Sequence, residues 1–334
     1  MRTRVYLGLL VLIVIIAATG VYLRLARQAG PADLGTQALI PCYGVIRYRP
    51  AETLDLSSGL LDTTVAGLFG STENITAVKL WGPDGQVDVV DWTVSALSGD
   101  GQVGGRTPYV RHLQLAVGAP DRAMVLTDVE FSFANGMKKS FPFGELRLVP
   151  REETSPVDMA ERVGALWEIQ DYTEVSSISP GGHGQLAGLV VGLTVGMLER
   201  APEGCSVTSI DLGYPRLEVD ESSACIVGDA FAFEQAVQGV GAIADTCLTE
   251  DRGLPLPLVF VGFQPRTTNW VKVAFLLKAT GPTLPPLATL YVHPQFVLSI
   301  GGEEIRVAAT NCQPIGLGNR FSSEAADFFK EWGK

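Results

Sequence analysis

The chain has 334 residues, 46% hydrophobic and 18% charged, a balance that suits folded domains and argues against a wholly disordered chain. Its net charge of −11 repels phosphate backbones and no basic stretch is interleaved with aromatics, so the composition speaks against nucleic-acid binding. The 37 glycines and 20 prolines favour frequent turns and short strands over a helical bundle.

Arg2 and Arg4 precede an uncharged apolar run from Val5 to Leu23. At about 1.5 Å per residue such a run matches a hydrocarbon core of roughly 30 Å. A cleaved signal peptide is the competing reading, but Ala17, Ala18 and Gly20 make a poor small-x-small site and the apolar run continues past them. The expectation is an uncleaved single-pass anchor over 5–23, with a cytoplasmic tail over 1–4 and the bulk of the chain extracytoplasmic. Arg24 and Arg27 follow the run closely, so charge alone does not set the orientation. Gly8, Ala17, Ala18 and Gly20 offer small residues for a docking face within the bilayer.

Residues 24–43 read as a polar stalk broken at Gly30-Pro31. A first β domain is expected over 44–150. It opens with GVIRYRP at Gly44, whose alternation predicts a half-buried strand. Asn74–Trp81 and Gln86–Val94 flank the turn Gly82-Pro83-Asp84-Gly85 and predict a hairpin. YVRHLQLAV, MVLTDVEFSFANG and KSFPFGELRLVP continue the strand pattern to Pro150.

A helical linker is expected over 151–185, where Ser155, Pro156 and Asp158 give N-terminal capping signals and Met159, Val163, Leu166 and Trp167 share one face. The second β domain is expected over 186–312. It opens with Leu186–Leu198, where Gly188, Gly192 and Gly196 recur every fourth residue in a segment too short to cross a bilayer as a helix. A strand is the favoured reading. Punctuation in this half matches the first half in order: Gly196 stands where Gly44 stood, Ser206–Leu212 where Asn74–Leu80 stood, and the stretch ending at Pro294 where the one ending at Pro150 stood. The fold class read from this is all-β dominated, two tandem immunoglobulin-like β-sandwiches behind the anchor, arising by duplication. A helical excursion is expected over 226–246. The tail over 313–334 ends in an amphipathic helix whose Phe328, Phe329 and Trp332 are partner-contact candidates.

The five cysteines lack C-x-x-C and Cys/His metal spacing, which favours disulfides. Cys225–Cys247 would close a loop of about 20 residues, leaving Cys205–Cys312 as the second pair. Cys42 is then unpaired, either bonded to another subunit or buried as a thiol.

No nucleophile elbow, zinc-protease, Walker or dinucleotide motif occurs. The chain holds three histidines: His112 and His293 read as structural, while His183 stands alone in a glycine-rich loop. No catalytic residue, metal or cofactor is therefore expected. The leading functional expectation is a non-catalytic extracytoplasmic protein acting through protein contacts, as an accessory or scaffolding subunit of a membrane or envelope complex. An alternative is a glycan- or small-ligand-binding module with Trp81, Trp92 or Trp270 in a concave site. A further alternative is a hydrolase whose dispersed carboxylates meet across a cleft.

Overall fold

A computed structural model of the chain describes residues 37–62, 69, 74–95, 109–152, 167–170, 174–181, 185–197, 206–227, 258–259, 270–280, 284–285, 287–300, 302–308, 312 and 314–316. The first half contributes β1 (Gln37–Leu39), β2 (Cys42–Tyr48), β3 (Thr53–Asp62), β4 (Ile75–Gly82), β5 (Gly85–Val87), β6 (Val89–Val94), β7 (Tyr109–Gly118), β8 (Met124–Phe133) and β9 (Lys138–Pro150). There follow β10 (Trp167–Gln170), β11 (Glu174–Gly181), β12 (Gln185–Met197), β13 (Ser206–Asp211), β14 (Leu217–Val227) and β15 (Leu258–Val259). The chain closes with β16 (Trp270–Ala279), β17 (Thr289–Tyr291), β18 (Gln295–Ile300), β19 (Glu303–Ala308) and β20 (Pro314–Gly316). The described fold is all-β and sandwich-like.

Four sheets result. Sheet I has the order β1-β3-β7-β6, and sheet II the order β20-β17-β2-β9-β8-β4-β5. Sheet III runs β10-β12-β16-β14, with β11 also paired to β12, and sheet IV runs β15-β13-β18-β19. Sheets I and II enclose the first-half core. Leu56, Leu60, Leu113, Leu115 and Val117 meet Leu80, Leu126, Phe131, Phe143, Leu146 and Leu148, all buried. Phe69, Phe131, Phe133 and Phe141 pack there as an aromatic cluster, with Phe69 and Phe131 edge-to-face at 5.2 Å.

Several elements follow the sequence pattern closely. The runs at 109–118, 124–133 and 138–150 are single strands, and Asn135-Gly136 turns the chain between β8 and β9. Gly136 has φ +80°, and the Asn135 side chain accepts from the Met137 amide at 2.9 Å. The glycine-rich stretch is a strand, β12. Gly196 lies near its end, not at the strand start that the repeat alignment predicts.

The predicted strand Gln86–Val94 divides. β5 pairs with β4 in sheet II, then the chain passes through Asp88 and pairs with β7 in sheet I as β6. A bulge between Val89 and Asp91 breaks the alternation at this corner and leaves Val90 66% exposed. Strand β2 is buried at all seven residues, where the alternation predicts half-burial. The reason is that the second half returns to the first. β17 pairs with β2 in parallel, and β20 pairs with β17. β9 flanks β2 on its other side, also in parallel.

Two glycines make this triple run possible. Gly44 has φ +113°, and a Cβ there would lie 1.9 Å from the Tyr291 carbonyl oxygen. Gly144 has φ +106°, and a Cβ there would meet the Cys42 carbonyl oxygen at 2.2 Å.

The predicted anchor (5–23), the docking residues Gly8, Ala17, Ala18 and Gly20, the capped start of the helix after Ser155, His183, most of the helical excursion (226–246), and Phe328, Phe329 and Trp332 lie outside the described residues. Where they are described, the expected helical linker and stalk are strands instead. Trp167–Gln170 and Glu174–Gly181 are β10 and β11, because their residues pair with β12, and the end of the stalk is β1 and the start of β2, buried against β3 and β9. Among the described residues no helix is long and apolar enough to cross a membrane.

Candidate functional site

Strands β3, β7 and β6 lie side by side in sheet I, and their registers align two cross-strand rows on one face. Ser57, Gln114 and Thr93 form one row; Asp55, Ala116 and Asp91 form the next. Alternation explains the chemistry. Leu54, Leu56, Leu113, Leu115 and Val117 take the core-facing positions, so the residues between them must be tolerant of water. Asp55, Asp91, Thr93 and Gln114 are exposed, and Ser57 and Ala116 half-exposed.

These rows line a groove of about 440 Å³, to which Trp92 and, from the returning tail, Cys312 and Pro314 contribute. Trp92 is half-buried and packs against the first-half core, and its amide donates to Asp91 Oδ1 at 2.8 Å. The Thr93 hydroxyl donates to Gln114 Oε1 at 3.2 Å, which orients the amide. Neighbouring strands are about 4.8 Å apart, so Asp55 and Asp91 stand roughly 10 Å from each other across Ala116. Among the described residues no lysine or arginine lines this groove.

A smaller cavity of about 140 Å³ shares Asp55 and Cys312 with the groove, and Arg47, Arg151, Glu52 and His293 line it. Burial pushes the Cys312 thiol well above its ordinary value, opposed by the Arg151 charge and a hydrogen bond to the Val292 carbonyl. A thiol held neutral in this way is a poor nucleophile at neutral pH.

Below the groove the two halves are locked together. The Tyr291 hydroxyl donates to the Ser57 carbonyl at 2.8 Å and accepts from the Ser57 amide at 2.5 Å, so a second-half side chain fixes the middle of β3. On the outer face of β2, Arg47 is 4% exposed and bonds Asp211 Oδ2 at 2.6 Å and the His293 carbonyl at 3.1 Å. His293 is buried, and its Nδ1 accepts the Arg47 amide at 3.0 Å. Arg216 pairs with Glu145 at 3.1 Å and lies over the Tyr43 ring, while Arg147 lies over Tyr214.

No family model and no curated protein matches the chain. Among solved structures, one titled BspA_C_WT aligns with 82% of this chain and 100% of its own length, at 9% identity and a TM-score of 0.22.

The structure places the residues singled out from sequence as follows. Trp92 lines the groove, Trp81 lies on β4 at 39% exposure with Lys79 Nζ 5.9 Å from its ring centroid, and the Trp270 side chain is outside the described set. Among the described residues no disulfide is present, and Cys312 is a free thiol. The Cys205–Cys312 bridge is therefore not formed. The β17–β20 return carries Cys312 to the first half, where its Sγ meets the Val45 and Val292 carbonyls at 3.7 and 3.5 Å. Cys205, Cys247 and the Cys225 side chain are outside the described residues. Cys42 is fully buried in β2, so a bond to another subunit would require opening sheet II. Asp55, Ser57, Thr93 and Gln114 were not singled out by sequence reasoning. Their signal is the alternation of Asp55 and Ser57 with Leu54 and Leu56 in β3, of Gln114 with Leu113 and Leu115 in β7, and of Asp91 and Thr93 with Trp92 in β6, which becomes a site only when these strands are placed side by side.

Proposed function

We propose that this chain is a non-catalytic binding protein held outside the membrane by residues 5–23, built as two tandem immunoglobulin-like β-sandwiches. It works by contact, as an accessory or scaffolding subunit of a membrane or envelope complex. The observation that carries this reading is the groove beside Trp92. It is an open trough in which Asp55, Ser57, Asp91, Thr93 and Gln114 meet Leu56, Trp92 and Leu115, set on paired strands packed on the core, which is the rigid support that recognition requires. Within it the contacts join Thr93 to Gln114 and Asp91 to the Trp92 amide, and neither is a nucleophile–base pair.

The test is co-purification from native membranes in mild detergent, comparing the natural chain with Trp92→Ala and Trp81→Ala. The expected result is a companion recovered with the natural chain and with Trp81→Ala, and lost with Trp92→Ala. A chain recovered alone at native abundance overturns the subunit reading. A hydrolytic reading has one observation in its favour: Asp55 and Asp91 share the groove. Their separation of roughly 10 Å is at the wide limit for carboxylates that act through an intervening water, and both are exposed. Turnover of a chromogenic glycoside that Asp55→Asn and Asp91→Asn each abolish would favour it.

A further inference from the structure

At one end of the sandwich formed by sheets I and II, three polar side chains meet. Asp62 ends β3 on its core-facing side, in step with Leu56 and Leu60, and is 1% exposed. Gln37 of β1 is its direct cross-strand partner, so both side chains leave sheet I on the same face, and Gln37 is 4% exposed. Lys139 comes from β9 of sheet II, half-buried and two residues before the buried Phe141. Its Nζ lies 5.1 Å from the Phe141 ring centroid and donates to Gln37 Oε1 at 2.7 Å. A lysine near a strand end ordinarily carries its head out to water. This one turns its head onto a buried amide that stands beside a buried carboxylate. Burial pulls the Lys139 amine below its ordinary value, and the Asp62 charge acts on the same amine in the opposite sense. The trio therefore brings together a nucleophile, an acyl group and a proton acceptor, the last two sealed from water.

We propose that Lys139 and Gln37 join in an intramolecular isopeptide bond that ties β9 of sheet II to β1 of sheet I. One bond forms, from Lys139 Nζ to Gln37 Cδ, and one breaks, from Gln37 Cδ to Nε2. Asp62 takes the proton that the Lys139 ammonium must shed before its lone pair can attack. Once protonated, Asp62 donates to Oε1 while negative charge gathers there. The departing nitrogen collects the surplus protons and leaves as ammonium, so the reaction needs no oxidant and no co-reactant. The approach is already set, because a nitrogen hydrogen-bonded to the carbonyl oxygen has a short path to its carbon. The linked strands are the first and last of the first half, so the bond closes this sandwich covalently across its two sheets.

The full chain is purified in mild detergent, checked for folding by circular dichroism, then denatured, digested with trypsin and its peptides weighed by mass spectrometry. The expected result is a branched peptide joining Gln37 to Lys139, lighter than the sum of its parts by one ammonia, with no cleavage after Lys139. Lys139→Arg keeps the charge but is not acylated, and Asp62→Asn lacks the proton acceptor. Both are expected to yield unbranched peptides, with urea midpoints below that of the natural chain, because a cross-link restricts the unfolded chain. The natural chain decides the matter even where a variant fails to fold: unbranched Gln37 and Lys139 peptides from the folded natural chain overturn the proposal. A branch joining Lys139 to Asp62, lighter by one water, overturns Gln37 as the acyl group. A Gln37–Lys139 branch formed as fully in folded Asp62→Asn overturns the role given to Asp62.

Discussion

Strand β2 has two faces, and they are held by different physics. Cys42, Ile46 and Tyr48 enter the apolar core between sheets I and II, in a cluster with Tyr291, Leu56 and Leu148. Tyr43, Val45 and Arg47, on the opposite face, are as deeply buried but lie beneath the Asp211–Leu217 stretch of the second half. There the contacts are a guanidinium on a carboxylate, a second on Glu145, and cations over tyrosine rings. The apolar face gains stability from area removed from water, a force indifferent to partner. The charged face gains less for its burial, because desolvating Arg47 offsets much of its pairing. What it supplies is selection: a segment without an acid at Asp211 would strand Arg47 in the interior.

The largest effects are expected on the apolar side and at the seam. Gly44→Ala places a Cβ on the Tyr291 carbonyl at a positive φ, so β17 must leave β2. A loss of about 4–5 kcal/mol in urea unfolding is expected, the range reserved for severe disruption. Phe131→Ala, in the middle of the aromatic cluster, should cost about 3–5 kcal/mol by the same measurement.

On the charged face, Asp211→Ala should cost about 2–3 kcal/mol, since it removes the carboxylate from a buried guanidinium and leaves it the His293 and Asp211 main-chain carbonyls. Arg47→Met should cost less, and the double variant less than the sum, with a coupling of roughly 1–2 kcal/mol. Additive costs would show that Arg47 and Asp211 do not act as a pair.

Alkali should weaken both faces together. Burial pushes the Cys42 thiol from 9.0 up to about 12, and raises the Tyr291, Tyr43 and Tyr214 phenols above their usual 10.0. The folded chain then holds these protons more tightly than the unfolded one. Their contribution is fully present below about pH 9 and declines as pH rises, continuing toward about 12 for Cys42. Each such group adds a slope of about 1.4 kcal/mol per pH unit once its unfolded form ionises. Urea midpoints at pH 8, 9, 10 and 11 should therefore be flat at first and then fall steeply. A thiol reagent should leave Cys42 unmodified at pH 8 until unfolding.

The smallest effect is expected at the groove. Thr93→Val, on an exposed row, should alter stability by no more than about 0.5 kcal/mol while reducing recovery of the companion. A large stability change there would make the row structural.

The strands that sequence reveals best are those bounded by clear turn chemistry, such as β8 and β9 around Asn135-Gly136. Periodicity reports which residues share a face, and the polar positions of β3, β7 and β6 are legible at that level. It does not report which strands become neighbours, so the two rows of the groove are invisible until the registers are set. The same gap hides the passage of β5 into β6 at Asp88, where one alternating run serves two sheets. Arg47 is the sharpest case. An arginine at an alternate position of a short strand reads as solvent-facing, and only the arrival of Asp211 from far along the chain makes it interior.

The parallel pairing of Thr289 with Cys42 has a consequence for biosynthesis. Sheet II cannot be finished when the ribosome completes its ninth strand at Pro150, because the neighbour of β2 has not yet been made. At roughly 5–20 residues per second, the interval between synthesis of Cys42 and Thr289 is on the order of ten to fifty seconds. During that time the nascent first half presents the unpaired edge of β2, with the amides and carbonyls that β17 will take, to any extended segment nearby. A chain built this way needs either a holding factor or a slow collapse, and a nonsense codon between Pro150 and Thr289 would leave a first half that is complete in sequence and open in structure.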